Sequence, residues 1–568
     1  MLFVGITQLT FAQSGNISGT VVEKGAGPLP GVSILVKGTQ RGTETDFDGK
    51  YIIKANKGDV LQFTYMGFTS VEKTVGSTST IDVTMTEDAN MLNEVVVVAF
   101  GTTTKEEFTG SASIVGAEDL ATRVATSPIA AIEVKATGVQ FLSGSGAPGS
   151  SPSVVIRGVG TLNGSTDPLY IVDGIQFEGG LSLLNQDDIE SMTVLKDAAS
   201  TSLYGSRAAN GVIIITTKSG KKGRLQVNAS TQYGIITRAI DNYETVGAGN
   251  YYELMWEAYK NSLTVANPEQ VAAETIYNRL GYNPFNVPND QIVGVDGRLN
   301  PNARIKYQSL DWFKELERTG SRVNHSLSIA GGGENHKVFF SSSYLEEKGY
   351  VIESNFERIT NRLNADFDVA DWLKVGGNVG MTLTKSSGPG STGTSIANPF
   401  NWIQDLAPIY PVYLEDNNGN FVLDSNGQRQ YDLGEGHPDL NLGTRPYNPG
   451  RHGVAELILD DVSRKRNNLS FRQYAEVKLF EGLTAKVTYG QDIQDYIFKN
   501  YDNHIVGDGQ PTGRLREDRT RRTVENFNQI LTFDRKFDLH KFNVVLGHES
   551  FDRHFTQLDG RANTQTAT

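Results

Sequence analysis

The chain has 568 residues, a formal net charge of -13 and no cysteine. The length allows several domains, since one domain usually takes about 100–200 residues. The acidic balance argues against a nucleic-acid partner, because binding phosphates requires a basic surface, and the lack of cysteine excludes disulfides and thiolate metal sites. Mean hydropathy is -0.33 without a long apolar run, which argues against a membrane helix but is compatible with barrel strands that alternate apolar and polar side chains.

The first twelve residues, MLFVGITQLTFA, are apolar and uncharged. Thr10-Phe11-Ala12 has the small-x-small pattern of a signal-peptidase site, but the basic residues that begin a secretory signal are missing. We therefore interpret residues 1–12 as the remnant of a signal peptide. An apolar N-terminal strand is the alternative.

Residues 13–88 predict a small β-sandwich, because short strand-like runs alternate with turn sequences. The runs are Ile17–Glu23, Val32–Lys37, Tyr51–Ala55, Val60–Tyr65 and Thr80–Thr86. Asp46 and Asp48 resemble the start of a calcium loop, but the further oxygen ligands and the closing glutamate of such a loop are missing. A tight hairpin turn is the better interpretation of this pair.

Residues 89–110 read as a linker that contains four consecutive valines directly after Glu94, namely Val95, Val96, Val97 and Val98. Such a run is prone to aggregation when it stands alone, which suggests a strand that waits for a pairing partner. Addition to the sheet edge of another protein would use this character. An ordinary strand of a neighbouring domain is the alternative, and composition alone does not choose between them.

Residues 111–220 predict a compact α+β unit. Ser127-Pro128 has the pattern of an N-cap before a helix at Ile129–Lys135, and Asp197–Tyr204 suits a short helix ended by Gly205. A tight turn is expected at Asp173-Gly174. The predicted strands are Val154–Gly158, Leu169–Val172, Met192–Leu195 and Val212–Thr217.

From residue 221 onward, apolar and polar residues alternate in about nine strand-like runs, most strictly in Leu363–Val369 and Leu373–Leu383. Short turns are expected near Gly333, Ala370, Gly482 and Asp538, whereas 386–464 and 499–520 form long connections. This asymmetry is typical of outer-membrane barrels. The helical spacing of Tyr251–Ser262 predicts a structured external loop, with an inserted soluble domain as the alternative.

Four segments, taken in order, resemble the SusC/RagA family of TonB-dependent outer-membrane transporters. They are GPLPGVSILVKGT with TDFDGKY (27–39 and 45–51), LNEVVVVAFG (92–101), 156–174 and 188–218. The resemblance implies a mainly β fold: a carboxypeptidase-regulatory-like β-sandwich, an α+β plug domain at 111–220 and an antiparallel transmembrane β-barrel. The family barrel has 22 strands, so 221–568 would supply an incomplete part of it.

The resemblance also implies roles and partners. Glu94–Val98 would be the TonB box, captured by TonB and its inner-membrane energising complex, so that force partly displaces the plug. A SusD-like surface lipoprotein would cover the barrel mouth, the barrel would cross the bacterial outer membrane, and the cargo would be an oligosaccharide or an oligopeptide. Phe100 stands where tyrosine is commoner in the family.

Seven residues fall within the plug signatures: Arg157, Gly158, Asp173, Gly174, Tyr204, Gly205 and Arg207. Two interpretations of the charged members stay open. Arg157, Asp173 and Arg207 either form ion pairs that latch the plug to the barrel wall, or they satisfy polar groups in turns of the plug itself. No residue can be assigned to cargo binding.

We expect no enzyme and no cofactor, because the eight histidines lack metal-ligand spacing and neither a nucleophile elbow nor a P-loop occurs. The segment 144–149 matches G-x-G-x-x-G, but it leads into a strand instead of a helix and is interpreted as a plug turn. The acidic turns at 415–427 are interpreted as tandem turns, with calcium as the alternative. A β-rich surface adhesion protein is the alternative function, although it would need neither the valine segment nor a plug.

Overall fold

The computed structural model describes residues 15–23, 27–39, 41–65, 68–86, 95–98, 101–104, 111–121, 127–132, 136–142, 145–241, 243–389, 396–537 and 540–563. The proposed signal remnant at 1–12, Glu94 of the proposed TonB box and the expected turn at Asp538 lie outside these residues. The chain divides into two compact units, 1–110 and 111–568, and each is described by itself.

The first unit contains two small sheets that share one core. One sheet has the order β4-β1-β7 and the other β3-β2-β5-β6. The strands are β1 (Gly15–Glu23), β2 (Ser33–Val36), β3 (Gly42–Glu44), β4 (Lys50–Ala55), β5 (Val60–Thr64), β6 (Val71–Thr74) and β7 (Val83–Met85). Every second residue of β4 is buried, and Ile53 packs in the same cluster as Ile34 and Phe63 of the other sheet. The predicted β-sandwich is confirmed.

The Asp46 segment of this unit is a turn. The Oδ1 atom of Asp46 accepts hydrogen bonds from the backbone N–H groups of Asp48 and Lys50 at 3.0 and 2.8 Å. This is an Asx-type turn, in which the carboxylate is used by its own backbone. The tight turn is confirmed, but it joins β3 and β4, which belong to different sheets, so it is not a hairpin turn.

The valine run also lies in the first unit. Its backbone forms β8 (Val95–Val98), which pairs antiparallel with β9 (Gly101–Thr104) in a two-stranded hairpin. Val95 lies opposite Thr104 and Val98 opposite Gly101. Within the described residues, β8 has β9 as its single neighbour, so its other edge is unpaired there.

The second unit begins with the plug, a five-stranded sheet of order β10-β15-β16-β13-β14 beside a β11–β12 hairpin. Its strands are β10 (Ala112–Gly116), β11 (Val139–Leu142), β12 (Ser153–Ile156), β13 (Leu169–Val172), β14 (Ile175–Gln176), β15 (Ile189–Leu195) and β16 (Val212–Thr217). Short α-helices span Ala117–Ala121 and Ala198–Thr201. Short 3-10 segments span Pro128–Ala131, Leu181–Leu183, Gln186–Asp188 and Ser202–Ala208. The apolar β15 and β16 lie at the centre of the core because both of their faces are covered.

Of the two helices predicted in the plug, the first needs correction and the second ends where it was expected to end. The segment expected as a helix at Ile129–Lys135 forms a 3-10 turn at Pro128–Ala131, without a side-chain cap from Ser127. The segment expected as a short helix at Asp197–Tyr204 is helical from Ala198 and is interrupted at Gly205 as predicted, and a separate 3-10 turn follows up to Ala208. Gly205 has φ 67° and ψ -157°, so it introduces a kink that a residue with a Cβ would resist, and the chain resumes its turn beyond it.

The remainder forms one antiparallel sheet in which nine strands follow each other in chain order, and we call it the wall. The strands are β17 (Gly223–Ile236), β18 (Gly320–Gly332), β19 (His336–Lys348), β20 (Asn355–Ala370), β21 (Leu373–Ser387), β22 (Asp461–Phe480), β23 (Leu483–Asp502), β24 (Arg514–Phe537) and β25 (His540–Asn563). The predicted strand number and alternation are confirmed. Among the described residues, β17 and β25 each pair on one side, so the sheet is an open part of a barrel.

The connections differ between the two ends of the wall, as the sequence predicts. At one end, consecutive strands are joined through short turns such as Asp371-Trp372 and Glu481-Gly482. At the other end, the connections 237–319 and 388–460 are long. The predicted helix at Tyr251–Ser262 is confirmed as Ala248–Ser262.

The two long connections build one hydrophobic core that contains Tyr252, Ile276, Trp312 and Trp402. Besides Ala248–Ser262, their helices are Pro268–Leu280, Trp312–Leu316, Pro399–Asp405 and Gly453–Leu459, with a 3-10 turn at Pro438–Leu440. A further 3-10 turn, Gly507–Gly509, lies between β23 and β24. The described residues of the long connection expected over 386–464 therefore pack around shared aromatic residues. No helix in the described part of the chain combines the length and apolarity needed to cross a membrane.

The acidic turns at 415–427 each use one aspartate as a turn acceptor. Asp416 accepts from the N–H groups of Asn418 and Asn420, and Asp424 accepts from those of Asn426 and Gln428, all at 2.8 Å. This geometry matches the tandem-turn interpretation. In the described ranges, no group of three or more His, Cys, Asp or Glu residues is arranged to hold a metal ion.

Candidate functional site

The turn after β13 connects the plug to the wall. Asp173 and Gly174 have φ 49° and 82°, as a two-residue hairpin turn between β13 and β14 requires. The Asp173 carboxylate accepts from the N–H of Thr217 at 2.8 Å and from its hydroxyl at 2.9 Å. It also lies 3.5 Å from Nη1 of Arg362 and accepts from Nδ2 of Asn378 at 3.1 Å. Asp173 therefore joins its turn to β16 of the plug and also pairs with two wall strands.

Arg362 on β20 serves two plug carboxylates. Besides Asp173, its Nε atom lies 4.0 Å from Oδ2 of Asp188, which is buried. Burial raises the pKa of Asp188, and the nearby Arg362 opposes that rise. A charged carboxylate in this position needs the guanidinium, because an uncompensated buried charge is costly.

A second wall arginine binds plug carbonyls. Arg358 is fully buried, and its Nη1 atom donates to the carbonyls of Ser182 and Leu184 at 2.8 and 3.0 Å. The hydroxyl of Thr382 donates to the carbonyl of Leu183 at 2.9 Å. The wall thus satisfies three successive carbonyl groups of one plug turn, which water would otherwise have to reach.

The buried side of the interface includes one more wall residue. Asn364 donates from Nδ2 to the hydroxyl of Thr217 at 3.0 Å and to the carbonyl of Lys218 at 2.5 Å. We call these interactions the buried contact. It comprises Asp173, Ser182, Leu183, Leu184, Asp188, Thr217 and Lys218 of the plug with Arg358, Arg362, Asn364, Asn378 and Thr382 of the wall.

The plug meets β24 and β25 through ion pairs that are partly exposed. Arg207 lies 2.8 Å from Oε1 of Glu549, and its guanidinium lies 4.8 Å from the ring centre of Phe551. Glu178 lies 3.4 Å from Nη1 of Arg522 and 3.3 Å from Nη1 of Arg553. We call these five charged residues, Glu178, Arg207, Arg522, Glu549 and Arg553, the exposed contact.

Between the two contacts the plug touches the wall backbone. A Cβ atom built on Gly490 of β23 would lie 2.9 Å from Cγ1 of Ile175. A side chain at position 490 would therefore push the plug away from the wall. Glycine at this position permits the close approach that both contacts require.

The other predicted site residues belong to neither contact. Arg157 and Gly158 have φ 59° and 95° and are exposed, and the Arg157 N–H donates to the carbonyl of Gly138 at 3.0 Å. No ion pair of Arg157 is found in the part of the chain that the structure describes. Burial raises the pKa of Tyr204, with Glu549 as a smaller cause. The backbone of Val95–Val98 is in the β8–β9 hairpin of the first unit.

Sequence reasoning missed most of the interface. Asp188 and Glu178 of the plug and every wall partner were not identified in advance. The available signal was weak: Arg358 and Arg362 are two arginines that share one face of β20.

Comparison with known proteins agrees with this architecture. Residues 17–97 match the model of the CarboxypepD_reg-like domain, and 104–212 match that of the TonB-dependent receptor plug domain. TonB-dependent receptor P3 of Formosa agariphila is 31% identical over 94% of this chain and 48% of the relative. TonB-dependent receptor SusC of Bacteroides thetaiotaomicron is 30% identical over 81% of this chain and 42% of the relative.

Among solved structures, the RagAB peptide importer in its open-open state has a TM-score of 0.61 at 25% identity, covering 83% of this chain and 50% of that chain. The chain spans about half the length of the curated relatives it matches. A plug domain bound to an antiparallel β-wall defines the class of TonB-dependent receptors. Within that class, the SusC relative and the RagAB structure support the SusC/RagA family for this chain.

Proposed function

We propose that the complete protein imports an oligosaccharide or oligopeptide across the bacterial outer membrane, with the wall embedded in the lipid bilayer. The observation that supports this most directly is the polar interface between plug and wall. Four charged plug residues, Glu178, Asp173, Asp188 and Arg207, meet complementary groups of the wall. A gate must be held firmly and still be released, and such an interface provides both properties.

The chemistry of the interface supports displacement under force. Hydrogen bonds and ion pairs contribute modest net free energy, because water replaces the lost partner when they open. A pulling force can therefore release them one after another. Once water enters, the same groups are solvated, and the plug can return to the wall when the force ends.

Force would be applied through Glu94–Val98, the proposed TonB box. A partner strand can add to the free edge of β8 or replace β9 beside it, since backbone hydrogen bonds drive both forms of strand addition. TonB and its inner-membrane complex are the proposed source of force. A SusD-like lipoprotein is the proposed cover of the barrel mouth, in line with the SusC and RagAB relatives.

Uptake by cells that carry the complete gene tests the proposal. Cells whose receptor lacks Glu94–Val98 should lose uptake of labelled oligosaccharides or peptides while displaying the same amount of receptor. Deletion of 105–109 shortens the linker by the same five residues but retains the box, and it should leave uptake near the original rate. Undiminished uptake without Glu94–Val98 would refute the TonB mechanism.

A further inference from the structure

Two arginines of β22 lie on the plug-facing surface of the wall, and neither forms an ion pair with the plug among the described residues. Arg464 and Arg466 are two residues apart, so their side chains share one face of the strand. Their guanidinium carbons lie 5.2 Å and 5.0 Å from the ring centres of Phe498 and Tyr496, their cross-strand partners on β23. We call these four residues the arginine–ring platform.

The platform borders the plug on one side. A methyl group at Gly180 of the plug would lie 3.5 Å from Nη1 of Arg466. Arg464 is one pleat nearer to the end of the wall that carries the long connections. Cargo that enters from that end would therefore reach the platform before the plug.

Arg464 and Arg466 differ from other arginines of this face in their partners. Four arginines of the same face are each paired with a carboxylate: Arg362 with Asp173, Arg472 with Asp492, Arg516 with Asp518, and Arg522 with Glu178. Neither Arg464 nor Arg466 has a carboxylate partner among the residues described. On their other side lie the hydroxyl residues Ser386 and Thr384.

The carboxylates nearest to the platform in the strand register are already engaged. Asp518, opposite Phe498, lies 2.8 Å from Arg516. Asp461 lies 2.7 Å from Nζ of Lys499, and Asp502 lies 2.6 Å from Nε of Arg514. The platform therefore keeps a local excess of positive charge, although the chain as a whole carries a net charge of -13.

Asp460 also lies near the platform, but its partner is the amide of Asn503 and not a cation. It accepts two hydrogen bonds from Asn503, at 2.8 Å from the backbone N–H and at 2.6 Å from Nδ2. Burial raises the pKa of Asp460 to about 6. Since burial disfavours the charged form of this group, it is poorly suited to neutralise the platform.

We propose that the arginine–ring platform binds the anionic groups of an acidic oligosaccharide, carboxylated or sulfated, above the plug. This inference rests on the proposed import function and deepens it by naming a cargo class. A guanidinium offers paired N–H donors that match a carboxylate or sulfate, and the ring beneath it restrains its orientation. Gln494 and Thr520, on the same face, add amide and hydroxyl groups for sugar hydroxyls.

The surroundings favour a glycan over an acidic peptide. An extended peptide is commonly held through its backbone by a free strand edge. Here β22 is paired on both sides by β21 and β23, and β23 is paired by β22 and β24, so the platform offers no such edge. Recognition must come from side chains, and these present charge, hydroxyl groups and ring faces.

Binding to the complete purified receptor, without TonB, tests the platform. The calorimetric probes are tetragalacturonate, a sulfated carrageenan tetrasaccharide, neutral maltotetraose and the peptide tetraglutamate. At least one acidic sugar should bind ten-fold or more tightly than maltotetraose, and its affinity should fall as NaCl screens the charges. R464Q/R466Q should lose at least ten-fold in affinity for that sugar and most of the salt dependence.

Two further variants make the comparison specific. R464K/R466K retains both charges but loses the planar donor pair, so its affinity should lie between those of the original protein and the glutamine variant. K465Q/R519Q removes two cations from the opposite face of the same sheet and should bind as the original does. If R464Q/R466Q fails to fold, the affinity of R464K/R466K and the salt dependence of the original protein show whether the platform binds the acidic sugar.

Four results would overturn the proposal: unchanged affinity in R464Q/R466Q, an equal loss in K465Q/R519Q, no preference for either acidic sugar over maltotetraose, or tighter binding of tetraglutamate than of both. The last result would reassign the platform to acidic peptides. None of them bears on import itself, which is judged by uptake with and without Glu94–Val98. Conversely, intact sugar binding combined with box-independent uptake would refute the TonB mechanism and leave the platform standing.

Discussion

The plug is held to the wall in two places that differ in their access to water. In the buried contact, the side chain of Arg362 is 9% exposed and that of Asp188 is 7% exposed. In the exposed contact, the side chain of Arg207 is 41% exposed and that of Arg553 is 54% exposed. Both contacts consist of charged and polar groups, so the difference in free energy comes mainly from burial.

Burial determines what each contact costs to break. An exposed ion pair contributes between about 0 and 1 kcal/mol, because solvent and salt screen it. A buried guanidinium that loses its partner, or a buried carboxylate left alone, costs about 3–5 kcal/mol. We therefore expect the buried contact to position the plug, and the exposed contact to open first under load.

Arg362→Ala should have the largest effect on plug docking. It leaves Asp173 and Asp188 without their cation, and we expect a loss of about 3–5 kcal/mol of docking free energy. Hydrogen–deuterium exchange of residues 181–195 in the complete receptor measures this loss as faster exchange. Adding Asp173→Asn should recover part of it, because the two changes act on one network. Exchange as slow as in the original protein would show that Arg362 does not hold the plug.

Arg358→Ala should have the second largest effect. It removes the donor for the carbonyls of Ser182 and Leu184, and each buried acceptor left unsatisfied costs about 1–3 kcal/mol. Cells with this variant should admit more vancomycin, because the plug seals less tightly. Glu357→Ala alters the neighbouring residue on the opposite face of β20 and serves as the matched control. Equal vancomycin sensitivity in the two variants would contradict the assigned role.

Parts of this comparison could be predicted from the sequence. The strands Leu169–Val172 and Val212–Thr217 appear with the predicted bounds, because runs of apolar and β-branched residues suit a strand that is buried on both faces. The wall was predictable because apolar and polar residues alternate along a strand whose two faces have different surroundings. Asp173 and Arg207 stood out because they are charged residues within the segments that resemble the plug signatures of the family.

The partners themselves were not predictable. Asp173 meets Arg362 only when β20 is in its register against β19 and β21, and no local pattern fixes that register. The helices Pro399–Asp405 and Gly453–Leu459 were missed for a related reason. Each has seven residues, too few for a helical period to stand out, and each is stabilised by the shared aromatic core.

Glu549→Gln tests the exposed contact, which is expected to be the weaker of the two. It removes the carboxylate that pairs with Arg207, and the expected loss is about 0.2–1 kcal/mol, since both side chains are partly exposed. Exchange of residues 202–208 in the complete receptor should rise slightly at low salt. The difference from the original protein should vanish in 0.5 M NaCl, where charges on exposed groups are screened. A loss of docking free energy as large as that of Arg362→Ala would mean that solvent exposure does not determine how strongly each contact holds the plug.

Arg553→Gln should have the smallest effect, because Glu178 retains Arg522 as a second partner. We expect a change below about 0.5 kcal/mol, as for most substitutions of exposed residues. The double variant R522Q/R553Q leaves Glu178 without a cation, and its effect should exceed the sum of the two single effects. Strict additivity in exchange of residues 175–180 would show that the two arginines act independently and do not substitute for each other as partners of Glu178.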